Sequence, residues 1–167
     1  MRDGITEEDV ARQALAVISA ATSLPRLAVF DLDYTLWPFK CECQKDNPYL
    51  YPEAKGILKA LKEKEVKLAV ASRTLTPDIA RLFLTKLGLT NFFVEMEIFP
   101  SWTPKTEHFE KIHQKTKIPF SSMIFFDDGV SNIQCVSRMG VTSVLVDDGV
   151  NIRALQNGLA DFANAKQ

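Results

Sequence analysis

Four short segments carry side chains that could together bind a phosphate group and a divalent cation. In chain order, these side chains are Asp31 and Asp33, Ser72 and Arg73, Lys105, and Asp127 and Asp128. Carboxylate oxygens are the ligands that Mg²⁺ prefers, whereas hydroxyl, guanidinium and ammonium groups bind phosphate oxygens. The set therefore predicts phosphate chemistry with a hard metal ion, provided that the fold brings the four segments together.

The pair Asp31 and Asp33 directly follows an apolar run, and its two-residue spacing lets both side chains face one substrate. Neighbouring carboxylates repel each other, which raises the pKa of one of them. A metal ion on the first carboxylate would keep it ionised and nucleophilic, and the second could then carry a proton. Taken alone, such a pair is more often two solvated loop aspartates. A functional interpretation therefore depends on the other three segments.

The four segments occupy equivalent positions in an alternating pattern of strands and helices. Apolar runs typical of buried parallel strands occur at 27–31, 67–72, 122–127 and 142–147, with a weaker candidate at 92–99. Helical patterns fill the intervals at 53–64, 77–87, 105–116, 130–139 and 151–165. This alternation predicts an α/β fold with a Rossmann-like, doubly wound, mainly parallel five-stranded sheet. Ligands bind beyond the carboxyl ends of the strands in such sheets, which is where the polar residues occur.

The chain length of 167 residues fits one hydrophobic core. Residues 1–24 are predicted to be an N-terminal helical extension, in which Thr6 and Asp9 form a capping box. Residues 25–167 are predicted to form the α/β domain. Residues 37–51 interrupt the alternation and are predicted to be a short loop insert, with a hairpin as an alternative. The insert's aromatic residues could either stack on a substrate or pack against the core.

The charge balance of 20 basic and 21 acidic residues gives no general attraction to nucleic acid or to anionic membranes. Three cysteines are too few and too irregular for a disulfide framework, so free thiols and a reducing compartment are expected. The acidic start lacks the features of a signal peptide, and no apolar run approaches the ~20 residues that span a bilayer. We expect a cytoplasmic protein that binds neither nucleic acid nor membranes; the sequence leaves its oligomeric state open.

The segment from Val29 to Leu36 resembles the first motif of haloacid dehalogenase (HAD)-type phosphotransferases. Ser72, Lys105 and the pair Asp127–Asp128 resemble the later motifs of that superfamily, and they follow in the same order. Phosphatases of the superfamily have an aspartate at the position of Asp33, whereas dehalogenases do not. The resemblance therefore points to a phosphatase.

Further segments resemble the eukaryotic magnesium-dependent phosphatase family. They are residues 27–39, 71–74, 108–109, 125–128 and 132–133, and the likeness extends from about residue 25 to the C-terminus. The resemblance implies a capless HAD-like phosphatase domain at 25–167 with Mg²⁺ as cofactor. It also implies a hydrolase of phosphoric monoesters (EC 3.1.3.-), acting on phosphotyrosine-type protein substrates or on sugar phosphates.

The resemblance assigns the reacting and metal-binding residues. Asp31 would be the nucleophile that forms an aspartyl-phosphate, and Asp33 the general acid and base. The Mg²⁺ ligands would be Asp31, the backbone carbonyl of Asp33, and Asp128. Asp127 would bind the metal through a water molecule or orient Asp128.

The phosphate-binding residues would be Ser72 and Lys105, with Arg73 as a further candidate. A surface salt bridge is an equally good interpretation of Arg73. The loop before Lys105 is longer than expected for the motif, so Lys111 is retained as an alternative. His108 could reach the edge of the site, although plain packing is the preferred interpretation.

Two functions from other classes also fit parts of the pattern. A receiver-type signalling domain combines an aspartyl-phosphate, Mg²⁺ and a lysine, but its acidic pair and its phosphoacceptor follow different strands. A non-catalytic phospho-binding module could use the same fold, although every expected catalytic position is occupied here. A phosphomutase is disfavoured because the insert at 37–51 is too short for a lid that excludes water.

Overall fold

The computed structural model of the protein describes residues 4–166. Its strands are β1 (Leu27–Phe30), β2 (Lys67–Ser72), β3 (Glu95–Ile98), β4 (Met123–Asp127) and β5 (Thr142–Leu145). They form a parallel sheet in the order β3-β2-β1-β4-β5. The predicted α/β class and the five-stranded parallel sheet are confirmed, and no large cap domain is present within residues 4–166.

Six α-helices connect the strands or flank them. They are α1 (Glu7–Ala20), α2 (Ala54–Glu63), α3 (Pro77–Lys86), α4 (Thr106–Thr116), α5 (Val130–Ser137) and α6 (Ile152–Ala165). The predicted strand at 92–99 is shorter than expected because residues Thr90–Phe92 form a 3₁₀ turn. None of the helices within residues 4–166 is long and apolar enough to cross a membrane.

The central strands are apolar on both faces because each face packs against its own layer of helices. Ala28 and Phe30 of β1 belong to one buried cluster, whereas Leu27 and Val29 belong to the other. Side chains alternate between the two faces of a strand, so one short run supplies both layers. The sheet therefore holds β1 rigidly at the point where its carboxyl end meets the polar loop.

Helix α1 begins with the predicted capping box, in which Thr6 and Asp9 each accept a hydrogen bond from the other's backbone N–H. Its buried face packs against α2 and α6 and belongs to the same hydrophobic cluster as the sheet. Gly56 of α2 allows this close approach, because a Cβ atom there would lie 2.9 Å from the backbone nitrogen of Ala11. The N-terminal helix thus shares the core of the α/β domain.

The insert at 37–51 forms irregular structure and turns, not a hairpin. Trp37 is fully buried and stacks on Phe39, and both rings contact Phe83 of α3 edge-on. The Nζ atom of Lys86 donates to the backbone carbonyls of Gln44 (2.9 Å) and Asp46 (3.1 Å). Hydrogen bonds and aromatic contacts therefore hold the insert against α3. Trp37 packs in the core and does not stack on a substrate.

Candidate active site

The sheet brings three of the predicted site residues to neighbouring strand ends. Asp31 directly follows β1, Ser72 ends β2, and Asp127 ends β4. All three side chains are buried. The backbone N–H of Asp31 donates to the carbonyl of Phe126 at 3.1 Å, which continues the ladder between β1 and β4 beyond the last residue of β1. Pairing of the parallel strands thus fixes where the Asp31 carboxylate lies.

Lys105 reaches this strand edge from the N-cap position of α4. Its Nζ atom lies 2.7 Å from Oδ1 of Asp31 and 2.5 Å from Oδ2 of Asp127. Lys105 has a left-handed backbone conformation (φ 63°), which is unfavourable for a residue with a side chain and is often found at functional sites. Lys111 lies over the ring of Phe99 instead. Of the two candidate lysines, the structure brings Lys105 to the carboxylates.

Burial dominates the electrostatics of this ion pair. It raises the pKa of Asp31 from 3.8 to about 6, because the pull of Lys105 on the carboxylate only partly offsets desolvation, and Asp128 adds to the rise. Burial alone would lower the pKa of Lys105, but the charges of Asp31 and Asp127 outweigh it and leave that pKa raised. The ammonium group is therefore charged, while Asp31 gives up its proton as the pH rises through about 6.

Asp31, Asp127 and Asp128 can each offer one oxygen, and these oxygens lie within 4.8 Å of one another. Burial also raises the pKa of Asp127 and of Asp128. Three carboxylates beside the single ammonium group of Lys105 leave two negative charges when all are ionised. A divalent cation would balance that excess, and the all-oxygen donor set fits Mg²⁺.

Thr35 and the loop after β5 hold the Asp31 carboxylate in place. The Thr35 hydroxyl donates to Oδ2 of Asp31 at 3.0 Å, and the Thr35 carbonyl accepts the N–H of Val150 at 2.9 Å. Gly149 has a φ of 76°, and a Cβ atom there would lie 2.3 Å from the ring of Tyr51. A glycine is therefore required where this turn packs against Tyr51.

Arg73 connects the loop after β2 to the loop before α4 and to helix α5. Its NH2 atom donates to the carbonyl of Ser101 at 2.8 Å, and its NH1 atom to Oδ1 of Asn132 at 3.4 Å. The Asn132 side chain in turn donates to Oδ2 of Asp127 at 3.2 Å. Within residues 4–166 Arg73 forms no ion pair, so the salt-bridge interpretation was wrong. Arg73 and Ser72 both line the cavity described below.

His108 is fully buried beneath the site. Its Nε2 atom lies 2.8 Å from the carbonyl oxygens of both Ser72 and Phe99, and its ring stacks on Phe99. Burial lowers the pKa of His108, so the neutral ring donates from Nε2. The residue braces the ends of β2 and β3, in agreement with the packing interpretation.

Asp33 is half-buried, and its Oδ1 atom accepts hydrogen bonds from Nε1 of Trp37 (2.7 Å) and from the backbone N–H of Cys41 (3.1 Å). Sequence reasoning missed both contacts. A signal was present, since a tryptophan buried in an apolar loop needs an acceptor for its indole N–H, and Asp33 is the nearest carboxylate in sequence.

An open cavity of about 450 Å³ lies above these residues. Besides the site residues, its walls contain Tyr34, Lys40, Glu42, Thr74, Leu75 and Thr76. The predicted phosphate-binding and metal-binding side chains all line it. The cavity is large enough for a phosphate monoester with part of its leaving group.

Comparison with known proteins gives the family. Residues 23–50 and 47–165 match the acid phosphatase family model. The chain is 44% identical over 160 residues to human Magnesium-dependent phosphatase 1, covering 86% of this chain and 90% of that protein. The chain belongs to the magnesium-dependent phosphatase family. The resemblance inferred from the sequence motifs is thereby confirmed.

A more distant relative places the chain in the HAD superfamily, and two solved structures share its fold. A HAD-like hydrolase superfamily protein of Schizosaccharomyces pombe is 34% identical over 146 residues, covering 71% of this chain and 83% of that protein. A HAD-superfamily hydrolase from Ehrlichia chaffeensis has the same fold, with a TM-score of 0.69 at 16% identity over 85% of this chain and 99% of the other. The N-terminal part of a Bacteroides fragilis protein, containing a phosphatase domain complexed with Mg, also shares the fold; its TM-score is 0.61 at 18% identity, covering 92% and 43% of the two chains.

Proposed function

We propose that this member of the magnesium-dependent phosphatase family hydrolyses phosphate monoesters through an aspartyl-phosphate on Asp31. The proposal is supported by the environment of Asp31. Its carboxylate contacts Lys105 and lies close to the carboxylates of Asp127 and Asp128. A receiver-like or purely phospho-binding module would not need a second carboxylate at position 33 that faces the same cavity.

The Mg²⁺ ligands in this proposal are Asp31, Asp128 and the backbone carbonyl of Asp33, with Asp127 as a direct or water-bridged ligand. When bound, the ion supplies Lewis-acid polarisation of the phosphoryl oxygens and neutralises the charge excess of the carboxylates. Because the pKa of Asp31 is raised to about 6 without metal, metal binding below that pH would release the proton of this residue.

In the first step an oxygen of the Asp31 carboxylate attacks phosphorus in line, and the bond from phosphorus to the ester oxygen breaks. Asp33 delivers its proton to that departing oxygen, so the product leaves as a neutral alcohol. The ammonium group of Lys105, the hydroxyl of Ser72 and the guanidinium of Arg73 hold the non-bridging oxygens. Their charges and hydrogen bonds stabilise the transferring group in the transition state.

In the second step the Asp33 carboxylate takes a proton from a water molecule as that water attacks the phosphorus of phospho-Asp31. The acyl–phosphate bond breaks, inorganic phosphate leaves, and the Asp31 carboxylate is restored. Proton transfer balances over the cycle, because Asp33 gives one proton in the first step and regains one in the second.

The substrates that fit the cavity are phosphate esters whose leaving group extends outward. The mouth carries the exposed side chains of Tyr34 and Leu75 and has no covering domain within residues 4–166. A phosphorylated tyrosine of a protein and a sugar phosphate both have this form. We propose these two classes as substrates.

The deciding experiment measures phosphate release from an aryl phosphate with Mg²⁺ and with a chelator, for the unmodified chain and for Asp31→Asn. We expect activity only with Mg²⁺ and only with Asp31 intact. Asp46→Asn, an exposed substitution in the insert, is the matched control and should keep full activity. Borohydride trapping in the presence of substrate should convert Asp31, and not Asp33, to homoserine.

Activity that survives both chelation and Asp31→Asn would disprove the mechanism. Phosphate or phosphopeptide binding without turnover would instead favour the non-catalytic module. A comparison of kcat/KM for phosphotyrosine peptides and sugar phosphates would then rank the two proposed substrate classes.

A further inference from the structure

Two N–H groups converge on a single oxygen of Asp33. The indole Nε1 of Trp37 lies 2.7 Å from Oδ1, and the backbone nitrogen of Cys41 lies 3.1 Å from the same atom. A carboxylate oxygen has two lone pairs, so these two donors saturate Oδ1. Within the described residues, Oδ2 of Asp33 receives no such hydrogen bond.

Trp37 has no freedom to leave this position. Its side chain is fully buried, its ring stacks on Phe39 with centroids 5.8 Å apart, and the ring of Phe83 meets it edge-on at 5.7 Å. The N–H of Tyr34, which has a φ of 60°, donates to the carbonyl of Trp37 at 2.7 Å and closes the turn between Asp33 and Trp37. The indole donor is therefore held rigidly by the core and by a strained turn.

The second donor, the backbone N–H of Cys41, is held in place by contacts between Cys41 and the loop after β2. The Thr76 hydroxyl donates to the carbonyl of Cys41, and the Cys41 thiol lies 3.5 Å from Oγ1 of Thr74. The N–H of Thr74 donates to the hydroxyl oxygen of Ser72 at 3.3 Å. One continuous network thus joins the predicted phosphate-binding hydroxyl to the carboxylate of Asp33.

We propose that Trp37 is a positioning residue for the acid–base step. Together with the N–H of Cys41, it fixes the Asp33 carboxyl group so that the proton resides on Oδ2. A proton on Oδ1 would point at two N–H hydrogens, whereas Oδ2 is free to face the ester oxygen. This inference rests on the proposed function, in which Asp33 protonates the leaving group.

The test is Trp37→Phe, which keeps an aromatic ring and removes the N–H. Leaving groups differ in their need for a proton: an alkoxide needs one, whereas p-nitrophenolate hardly does. We expect kcat/KM to fall about 10- to 100-fold for alkyl phosphates and by less than about 3-fold for p-nitrophenyl phosphate. KM should change little, because Trp37 does not line the cavity.

Phe83→Leu is the matched control, since it disturbs the same aromatic packing without touching Asp33. It should lower activity, if at all, by the same factor for both substrates. The inference is wrong if Trp37→Phe also affects both substrates equally.

A second variant avoids the packing change altogether. Benzothienylalanine replaces the indole N–H with sulfur at nearly constant shape, and Trp102→Phe makes position 37 the sole site of incorporation. Trp102 is 99% exposed, so its substitution should leave activity unchanged. The analogue should reproduce the selective loss of alkyl phosphatase activity; equal activity with and without the N–H would overturn the inference. If Asp31→Asn remains active, the proposed function itself fails, whereas an inactive Asp31→Asn with no effect at Trp37 refutes only this inference.

Discussion

The Nζ atom of Lys105 lies 2.7 Å from Oδ1 of Asp31, in an ion pair that is almost fully buried. A buried ion pair contributes little to stability because desolvation of the two charges opposes their attraction. Here the same ammonium group also contacts Asp127 and leaves the carboxylate cluster with excess negative charge. The arrangement is therefore better suited to binding an anion and a cation side by side than to stabilising the fold.

Replacement of this lysine should separate metal binding from turnover. In Lys105→Met the phosphoryl oxygens lose a buried positive charge, so we expect kcat to fall about 10²- to 10³-fold. The carboxylates become less neutralised, so Mg²⁺ should bind at least as tightly as before. Phosphate-release assays and calorimetric titration with Mg²⁺ measure the two effects.

Lys111→Met is the matched control on the same helix. Lys111 is exposed and lies over the ring of Phe99, so its loss should leave kcat within about 2-fold. An active Lys105→Met combined with an inactive Lys111→Met would show that the other lysine neutralises the phosphate.

The raised pKa of Asp31 predicts how the metal-free protein responds to pH. Between the ordinary pKa of 3.8 and the folded value of about 6, the native state holds a proton that the unfolded chain has released. Stability without metal should therefore fall as the pH rises through this window, by about 3 kcal/mol for this group. Asp127 and Asp128, whose pKa values are also raised by burial, act in the same direction.

Mg²⁺ should reverse this trend, because its binding requires the ionised carboxylates. Affinity for Mg²⁺ should rise as the pH increases through about 6, with release of protons. Denaturant unfolding with a chelator, and titration of Mg²⁺ in buffers of different ionisation enthalpy, check the two statements. In Asp31→Asn the free energy of unfolding of the metal-free protein should depend less on pH. An unchanged pH dependence would contradict the assignment to Asp31.

The sequence was sufficient to predict that three of the candidate site residues lie at neighbouring strand ends. Asp31, Ser72 and Asp127 each follow a continuous apolar run, and parallel pairing brings the ends of such runs to one edge. That inference needs only local patterns and the general topology of α/β sheets. It therefore succeeded without knowledge of any side-chain contact.

The remaining contacts depend on tertiary geometry that local patterns do not contain. The left-handed conformation of Lys105 occurs where the loop at 99–104 meets α4. The residue types in this loop do not predict it. Thr76 directly precedes α3 and is a residue type that often caps helices, but its side chain makes no cap hydrogen bond and its hydroxyl donates to the carbonyl of Cys41 in the insert. The Thr76 hydroxyl thus bonds to a residue 35 positions away in the chain and not to the nearby backbone N–H that helix-capping rules assume.

Two helix glycines should differ in their tolerance of a methyl group. A Cβ atom at Gly56 would lie 2.9 Å from the backbone nitrogen of Ala11, whereas at Gly158 its closest neighbours are the ends of the Val144 and Ile124 side chains. Backbone cannot yield without moving α1, but side chains can change rotamer. We expect Gly56→Ala to destabilise the protein by about 1–3 kcal/mol, and Gly158→Ala by less. Denaturant unfolding measures both, and the reverse order would contradict the close α1–α2 packing.

The cysteines of the insert should react very differently with alkylating reagents. Burial raises the pKa of the Cys41 thiol to about 11, and the nearby Asp33 adds to the rise, so little thiolate forms at neutral pH. Cys43, two residues further on, is exposed. Because the thiolate is the reactive species, iodoacetamide should label Cys43 in the native protein and leave Cys41 unmodified. Mass spectrometry of the digested protein measures this, with labelling in denaturant as the control in which both must react. Rapid labelling of native Cys41 would mean that the insert opens, and the hydrogen bond from the N–H of Cys41 to Asp33 could then not position the carboxylate.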